Sequence, residues 1–461
     1  VGQGQRKGAR FIGEADGKPV GEISGQAAQR GWRAHVVCEF LNELVKESVL
    51  TLGPCQAPAL TPRGVAPRYA LIEITHQCNL QCAFCYAESV PVKPEQEFLS
   101  AREWTGIFKR LAAGGIEQVC ITGGEPLARV DSVDILRAAR REFPSIALST
   151  NGTLIHGELA QELVALTDAV TISVDSGAPG PHDRLRGAGS HAAAIEAVRA
   201  LTKAGHPRVD VISSRTRMNN EESLYDVADL ALACQAHGTF YCYFVPSGRA
   251  RGSAERFELS PRELIDLWCR SLRPHIEELG DRGSPPMGAD TTYEPRFQVT
   301  AAGCGALVGG VVIGPSGDVY PCSHLKGGPF RFGCIADPAV ALEDLLQSNP
   351  GATSAILDRV VDAVPGCRDC QVRYFCHGGC MARAWLANGD LYSTDPLCPD
   401  LYANERAKLW SYRRRDAHKD NESRYLAFLE RELTALDLKQ MSCRSRNGRG
   451  NPSVGFAHQA P

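Results

Sequence analysis

The sequence predicts an α/β protein centred on a partial, TIM-like (β/α)6 barrel, and two observations carry that expectation. Between residues 69 and 246, short apolar runs alternate six times with longer runs of helical period. The short runs are apolar on both faces, as in a parallel sheet covered by helices. Six units joined by right-handed crossovers suit an open barrel better than a closed eight-unit one.

The units follow in order. "ALIEIT" reads as the first strand, followed by "SAREWTGIFKRLAAGG", which has helical period and a Gly stop. "QVCIT", "IALST", "AVTISVD", "RVDVISS" and "TFYCYFV" supply the other five strands. The intervening helices are "SVDILRAARREF", "GELAQELVAL", "AAAIEAVRALTKAG" and "EESLYDVADLALACQAHG". "HDRLRG", residues 182–187, is expected in a loop, and the stretch from Pro246 to about Arg296 reads as polar.

The ends differ. In residues 1–66, "ARFIGEADGKPVGEIS" suggests a hairpin turning at Asp16-Gly17, followed by an amphipathic helix and a short strand. That order suits a small winged-helix-like module, ahead of the Pro-rich linker "PCQAPALTPRGVAP". A cysteine-dense segment runs from Cys304 to Cys398, then a helical stretch beginning "YANERAKLW" and a polar, Gly-rich tail expected to be disordered.

Composition narrows the function. The 461 residues are 43% hydrophobic and 22% charged, as in ordinary globular protein. A net charge of −3 gives no global field for nucleic acid, and no apolar run reaches a membrane span. The start, "VGQGQRKGAR", has neither a secretory apolar region nor an initiator Met. The expectation is a cytoplasmic protein without nucleic-acid or membrane partners. Its 18 cysteines are the departure from average, and clustered cysteines in a long chain of this kind point to metal.

Cys78, Cys82 and Cys85 crowd the loop after the first strand with the spacing C-x3-C-x2-C. A disulfide framework, a zinc site and an iron–sulfur cluster all remain open from the spacing alone. Three thiolates can hold three irons of a [4Fe–4S] cube and leave the fourth iron open, which is a catalytic rather than a structural arrangement. The loop lies on the barrel face where such folds do chemistry.

Further along, "GGEP" (123–126), "STNG" (149–152), "ISVDS" and "PSGRA" (246–250) end the second, third, fourth and sixth strands. With Phe84 as the aromatic of the cysteine loop, this order resembles the radical S-adenosylmethionine (SAM) superfamily over roughly residues 68–252. The resemblance implies one [4Fe–4S] cluster on Cys78, Cys82 and Cys85, with SAM chelated at the open iron. Reductive cleavage of SAM would give a 5′-deoxyadenosyl radical that takes a hydrogen atom from substrate. It also implies SAM contacts by Phe84, Gly123, Gly124, Glu125, Pro126, Thr150, Asn151, Ser173, Asp175 and Arg186. Glu125 would anchor the SAM amino group. Ser173 and Asp175, two apart, share a strand face; Arg186 suits either the SAM carboxylate or a surface charge.

The second cysteine group reads C-x12-G-x4-C from Cys304 through Gly317 to Cys322, then Cys367, Cys370, Cys376, Cys380 and Cys398. It resembles the SPASM extension of radical SAM proteins, which holds auxiliary clusters. The resemblance implies Cys304, Cys322 and Cys380 on an inner cluster and Cys367, Cys370, Cys376 and Cys398 on an outer one, three [4Fe–4S] clusters in all. The inner cluster then has either an open iron or a fourth ligand from elsewhere; Cys334 is the nearest candidate by sequence, with a small buried residue as its other reading. The implied division is a leader-recognition-like module at 1–66, a radical SAM barrel at 67–285, a SPASM domain at 286–405, and a helix with tail at 406–461.

SPASM members act mostly on peptides, so the expected function is that of a ribosomal-peptide (RiPP) maturase fed by flavodoxin or ferredoxin. Two alternatives stand: sulfatase-type protein oxidation and small-molecule radical dehydrogenation. Sulfatase-maturing relatives carry an Asp after the cysteine matching Cys322, whereas this chain has Ser323 and His324.

Overall fold

The structure is a computed structural model that describes residues 67–91, 98–220, 224–282, 304–370, 372–411 and 426–430. The expected N-terminal module and tail lie outside these residues. All six expected strands form: β1 (Tyr69–Glu73), β2 (Gln118–Thr122), β3 (Ser145–Thr150), β4 (Ala169–Ser173), β5 (Val209–Arg215) and β6 (Gly238–Tyr243). They pair side by side in chain order, all parallel, so every carboxyl end opens on one face.

The helices between them are α1 (Ala101–Ala113), α2 (Ser132–Glu142), α3 (Gly157–Leu166), α4 (Pro179–Arg186), α5 (Ser190–Lys203) and α6 (Leu224–Ala233). α1 begins at a capping box, Ser100 with Glu103, and stops at Gly114. Its buried stripe of Trp104, Ile107, Phe108 and Leu111 lies in one core with Ile72, Ile121, Leu148 and Ile172 of the sheet.

One expectation is corrected, and two features go beyond the expectations. "HDRLRG" is the body of α4, not a loop: Pro179 starts the helix, and His182 and Leu185, three apart, form its buried side. The polar stretch after Pro246 contains a long helix, α7 (Pro261–Arg282), whose first turns bury Leu264, Ile265, Leu267 and Cys269. The cysteine-dense segment also joins the barrel sheet. Its first strand, β7 (Gly310–Ile313), pairs parallel with β1, and a hairpin continues through β8 (Asp318–Tyr320) and β9 (Gly333–Cys334). The sheet order is β6-β5-β4-β3-β2-β1-β7-β8-β9, so among the described strands the barrel is open. Beyond it lie α8 (Leu342–Ser348), α9 (Pro350–Leu357), α10 (Met381–Asn388) and α11 (Cys398–Ser411).

Candidate active site

The Cys78–Cys85 loop leaves the end of β1 and is held by three neighbours. The first is the end of β2. Gly124 and Glu125 amides donate to the carbonyls of Thr75 and Gln77, both at 2.7 Å. A Cβ on Gly124 would stand 2.1 Å from the Gln77 oxygen, and one on Gly123, with φ +149°, 2.4 Å from Thr75 O. The two glycines therefore let the cysteine loop lie flat on β2.

The second neighbour is the "PSGRA" turn. The Arg249 amide donates to Cys85 O at 3.0 Å, and its guanidinium reaches the carbonyls of Cys82 and Ser89. Gly248, with φ +58°, packs so close that a Cβ would meet Tyr86 O at 2.3 Å and Cys85 O at 2.5 Å. The third is the end of α4, where Leu185 O accepts from the Ala83 amide at 2.9 Å. Phe84 packs beside Leu185, Phe244, Ala250 and Phe257, under the Arg186 guanidinium at 5.5 Å. Arg249 and Gly248 were not among the expected site residues. Their signal was the "SGR" turn itself.

The three thiols lie close enough for their charges to act on one another. Burial pushes Cys78 up to about 12, so a thiolate there needs a metal to hold it. Amides of Leu80 and Ser89 point at the sulfurs of Cys78 and Cys85, at 3.3 and 3.5 Å, and the Asn151 side-chain amide lies 3.9 Å from Cys78 Sγ. Among the described residues, no group of three or more His, Cys, Asp or Glu side chains is arranged for a single metal ion. Three neighbouring thiols on one loop, with N–H donors aimed at the sulfurs of Cys78 and Cys85, are a ligand set that fits an iron–sulfur cluster.

The other expected SAM residues cluster at the same face. Glu125 is fully buried; it accepts from Thr150 Oγ1 at 2.7 Å, the Asn151 amide at 2.8 Å and the Leu127 amide at 3.1 Å. Burial raises its pKa, and these donors oppose the rise. Pro126 opens the short turn that Glu125 caps. Ser173 ends β4, half-buried, and Asp175 follows just beyond the strand. Asp175 is fully buried, and its oxygens accept from Arg186 Nε at 2.6 Å, Arg186 Nη2 at 3.3 Å and the Ser214 amide at 2.9 Å. His182 Nδ1 accepts from the Asp175 amide at 3.1 Å. Asp175 and Arg186 are thus partners, with Arg186 lending positive charge to Cys82.

Cys304 and Cys380 act electrostatically on Cys322, and Cys367 and Cys370 on Cys376, so each trio is a neighbourhood. Cys398 heads α11. Cys334 is half-buried, and its thiol donates to Ser316 O at 3.2 Å on the far side of the hairpin turn. The two cysteine regions meet directly. Tyr86, next to Cys85, lies edge-on to His324 at 5.6 Å, and His324 Nδ1 is 2.9 Å from Ser247 Oγ. Lys326 joins both oxygens of buried Glu73, at 2.5 and 2.6 Å, and Tyr86 OH donates to Glu73 Oε1 at 3.2 Å.

Comparison with known proteins agrees with this geometry. The Radical SAM superfamily profile matches residues 72–231. The chain is 30% identical over 350 residues to a PqqA peptide cyclase of Streptomyces rochei, covering 73% of this chain and 90% of that one. It is 29% identical to the mycofactocin maturase MftC of Mycobacterium ulcerans, over 73% of this chain and 89% of that one. An AdoMet-dependent heme synthase of Methanosarcina barkeri is 26% identical, over 72% and 96%. Among solved structures, native anSMEcpe with bound AdoMet shares the fold with a TM-score of 0.60 at 17% identity, covering 81% of this chain and 100% of that one. This chain is an enzyme of the radical SAM superfamily.

Proposed function

We propose that this enzyme is a maturase that oxidatively modifies a ribosomally made precursor peptide, with substrate held between Cys78–Cys85 and Cys304/Cys322/Cys380. One observation carries the reading: Tyr86 and His324, each beside a ligand loop, face one another at the barrel mouth. Held by Cys78, Cys82 and Cys85, a cluster with SAM would supply hydrogen-atom abstraction there, and a second cluster on Cys304, Cys322 and Cys380 would supply an electron acceptor. The chain's own residues orient and exclude. Arg249 and Gly248 hold the first loop, Glu125 organises Thr150 and Asn151, and the Glu73–Lys326 pair ties β1 to the Cys322 loop.

In this reading Cys367, Cys370, Cys376 and Cys398 hold a third cluster, making residues 286–405 a SPASM domain behind the barrel of 67–285. Residues 1–66 grip the leader by strand addition, α11 leads from the SPASM segment into the closing segment 406–461, and a flavodoxin or ferredoxin delivers electrons in the cytoplasm. Likeness to a peptide cyclase and a maturase supports the peptide substrate; Ser323 in place of an Asp argues against sulfatase-type oxidation.

The test is anaerobic incubation with SAM, dithionite and the short peptide encoded beside the gene. The expected outcome is 5′-deoxyadenosine and a peptide lighter by a pair of hydrogens, with about twelve irons per chain. Removing residues 1–60 should weaken peptide binding and leave uncoupled SAM cleavage intact. Turnover of a tetrapyrrole or sugar without peptide would move the enzyme to small molecules, the reading that likeness to the heme synthase favours.

A further inference from the structure

Asp395 lies between α10 and α11 and touches the backbone of a cysteine from each group. Its Oδ2 accepts from the Cys380 amide at 2.6 Å, and its carbonyl accepts from the Cys398 amide at 2.9 Å. Oδ1 also accepts from the Leu397 amide at 2.9 Å. Gly379 makes room for this: with φ +70°, its Cβ would stand 2.5 Å from Asp395 Oδ2. Arg383, in the first turn of α10, closes on the same carboxylate, Nη2 to Oδ2 at 2.7 Å and Nε to Oδ1 at 3.0 Å. The two side chains are only 7% and 1% exposed. The guanidinium lies 5.4 Å from the Tyr243 ring at the end of β6, and Tyr243 OH donates to Asp400 Oδ2 at 3.0 Å.

A buried ion pair is weak evidence of a gain in stability, because both charges lose their hydration. Placement against metal ligands gives this one a different use. We propose that Arg383 and Asp395 are a shared positioning pair for the two auxiliary iron–sulfur sites, fixing Cys380 relative to Cys398 and setting the charge felt by the inner cluster. The proposal rests on the reading that the two cysteine groups hold clusters. Arg383 and a Cys380 thiolate act on one another electrostatically, and cluster potentials follow local charge and hydrogen bonding. Neutralising Asp395 leaves the cation alone beside Cys380 and favours the reduced cluster. Neutralising Arg383 leaves the anion and disfavours it.

The test uses Asp395→Asn, Arg383→Gln and the double variant in the full chain, loaded anaerobically. Iron per chain is measured, with redox titrations of the auxiliary clusters followed by electron paramagnetic resonance. The expected result is an upward shift of the inner potential in Asp395→Asn, a downward shift in Arg383→Gln, and a return towards wild type in the double variant. Joint loss of iron from both auxiliary groups in Asp395→Asn, with the first site still loaded, also supports the pair. Shifts of one sign, unchanged potentials with full iron, or loss from one group alone would overturn it. If Asp395→Asn is insoluble, the sign of the Arg383→Gln shift decides. A wild-type chain holding only about four irons removes the cluster reading itself, and the proposal with it.

Discussion

Glu125 is buried with three donors on its carboxylate. Leaving a buried donor unsatisfied costs about 1–3 kcal/mol. Glu125→Ala should therefore lower unfolding free energy by at least that much in urea titration, besides weakening SAM binding. A change below about 0.5 kcal/mol, the range of ordinary surface substitutions, would mean the carboxylate organises nothing. His182 gives a pH prediction. Burial lowers it from 6.5 to about 4; Arg186 and His191 act in the same direction, and Asp175 and Asp183 oppose. The folded state keeps the imidazole neutral, so the unfolded chain takes up the proton first. The linked stability is complete above pH 6.5 and is lost as pH falls towards 4, by roughly 3 kcal/mol for a shift of this size. His182→Gln should show a shallower loss of stability across that window, and equal slopes would contradict it. That Glu125 and Asp175 stand near the site was legible from "GGEP" and "ISVDS". Their partners were not. Asp175 meets Arg186 at the end of α4, eleven residues on, and a reading of 182–187 as a loop hides that placement.

Elements explain which parts of the site could be read in advance. Six strands were legible because each is a short, mainly apolar run; cover is complete on one face, where Ile72, Ile121 and Leu148 are cross-strand neighbours and fully buried, whereas the residues alternating with them on β1 and β3 are half-buried. β7 was not, because "GVVI" is four residues set among glycines, and its pairing with β1 depends on a distant part of the chain. The "PSGRA" turn was read as a motif without a stated role; its role is to clamp the first loop. Gly248→Ala puts a methyl within 2.3 Å of Tyr86 O, at a φ that L residues rarely adopt. Backbone strain of this kind costs about 1–3 kcal/mol. The expected outcome is reduced iron at the first site and lost SAM cleavage, with the auxiliary iron retained. Full iron and full cleavage in that variant would show that the turn is not a clamp.

At the scale of the whole molecule, the barrel and the cysteine-dense segment share one sheet and one core. Lys326 and Glu73, 253 residues apart, close the same joint with a buried charge. A chain ending at residue 285 keeps every first-site residue but leaves the outer edge of β1 without its partner. Exposed, unpaired strand edges template aggregation, so that fragment should be insoluble where the full chain is soluble; a soluble fragment that cleaves SAM would refute this. On the ribosome the same joint sets a waiting time. The partner of Leu71 is Val312, and at about 5–20 residues per second the nascent β1 edge stays bare for roughly 10–50 s. Half-made chains spend that interval as open sheets, so soluble yield in a heterologous host should depend on translation speed and on chaperones that shield the β1 edge.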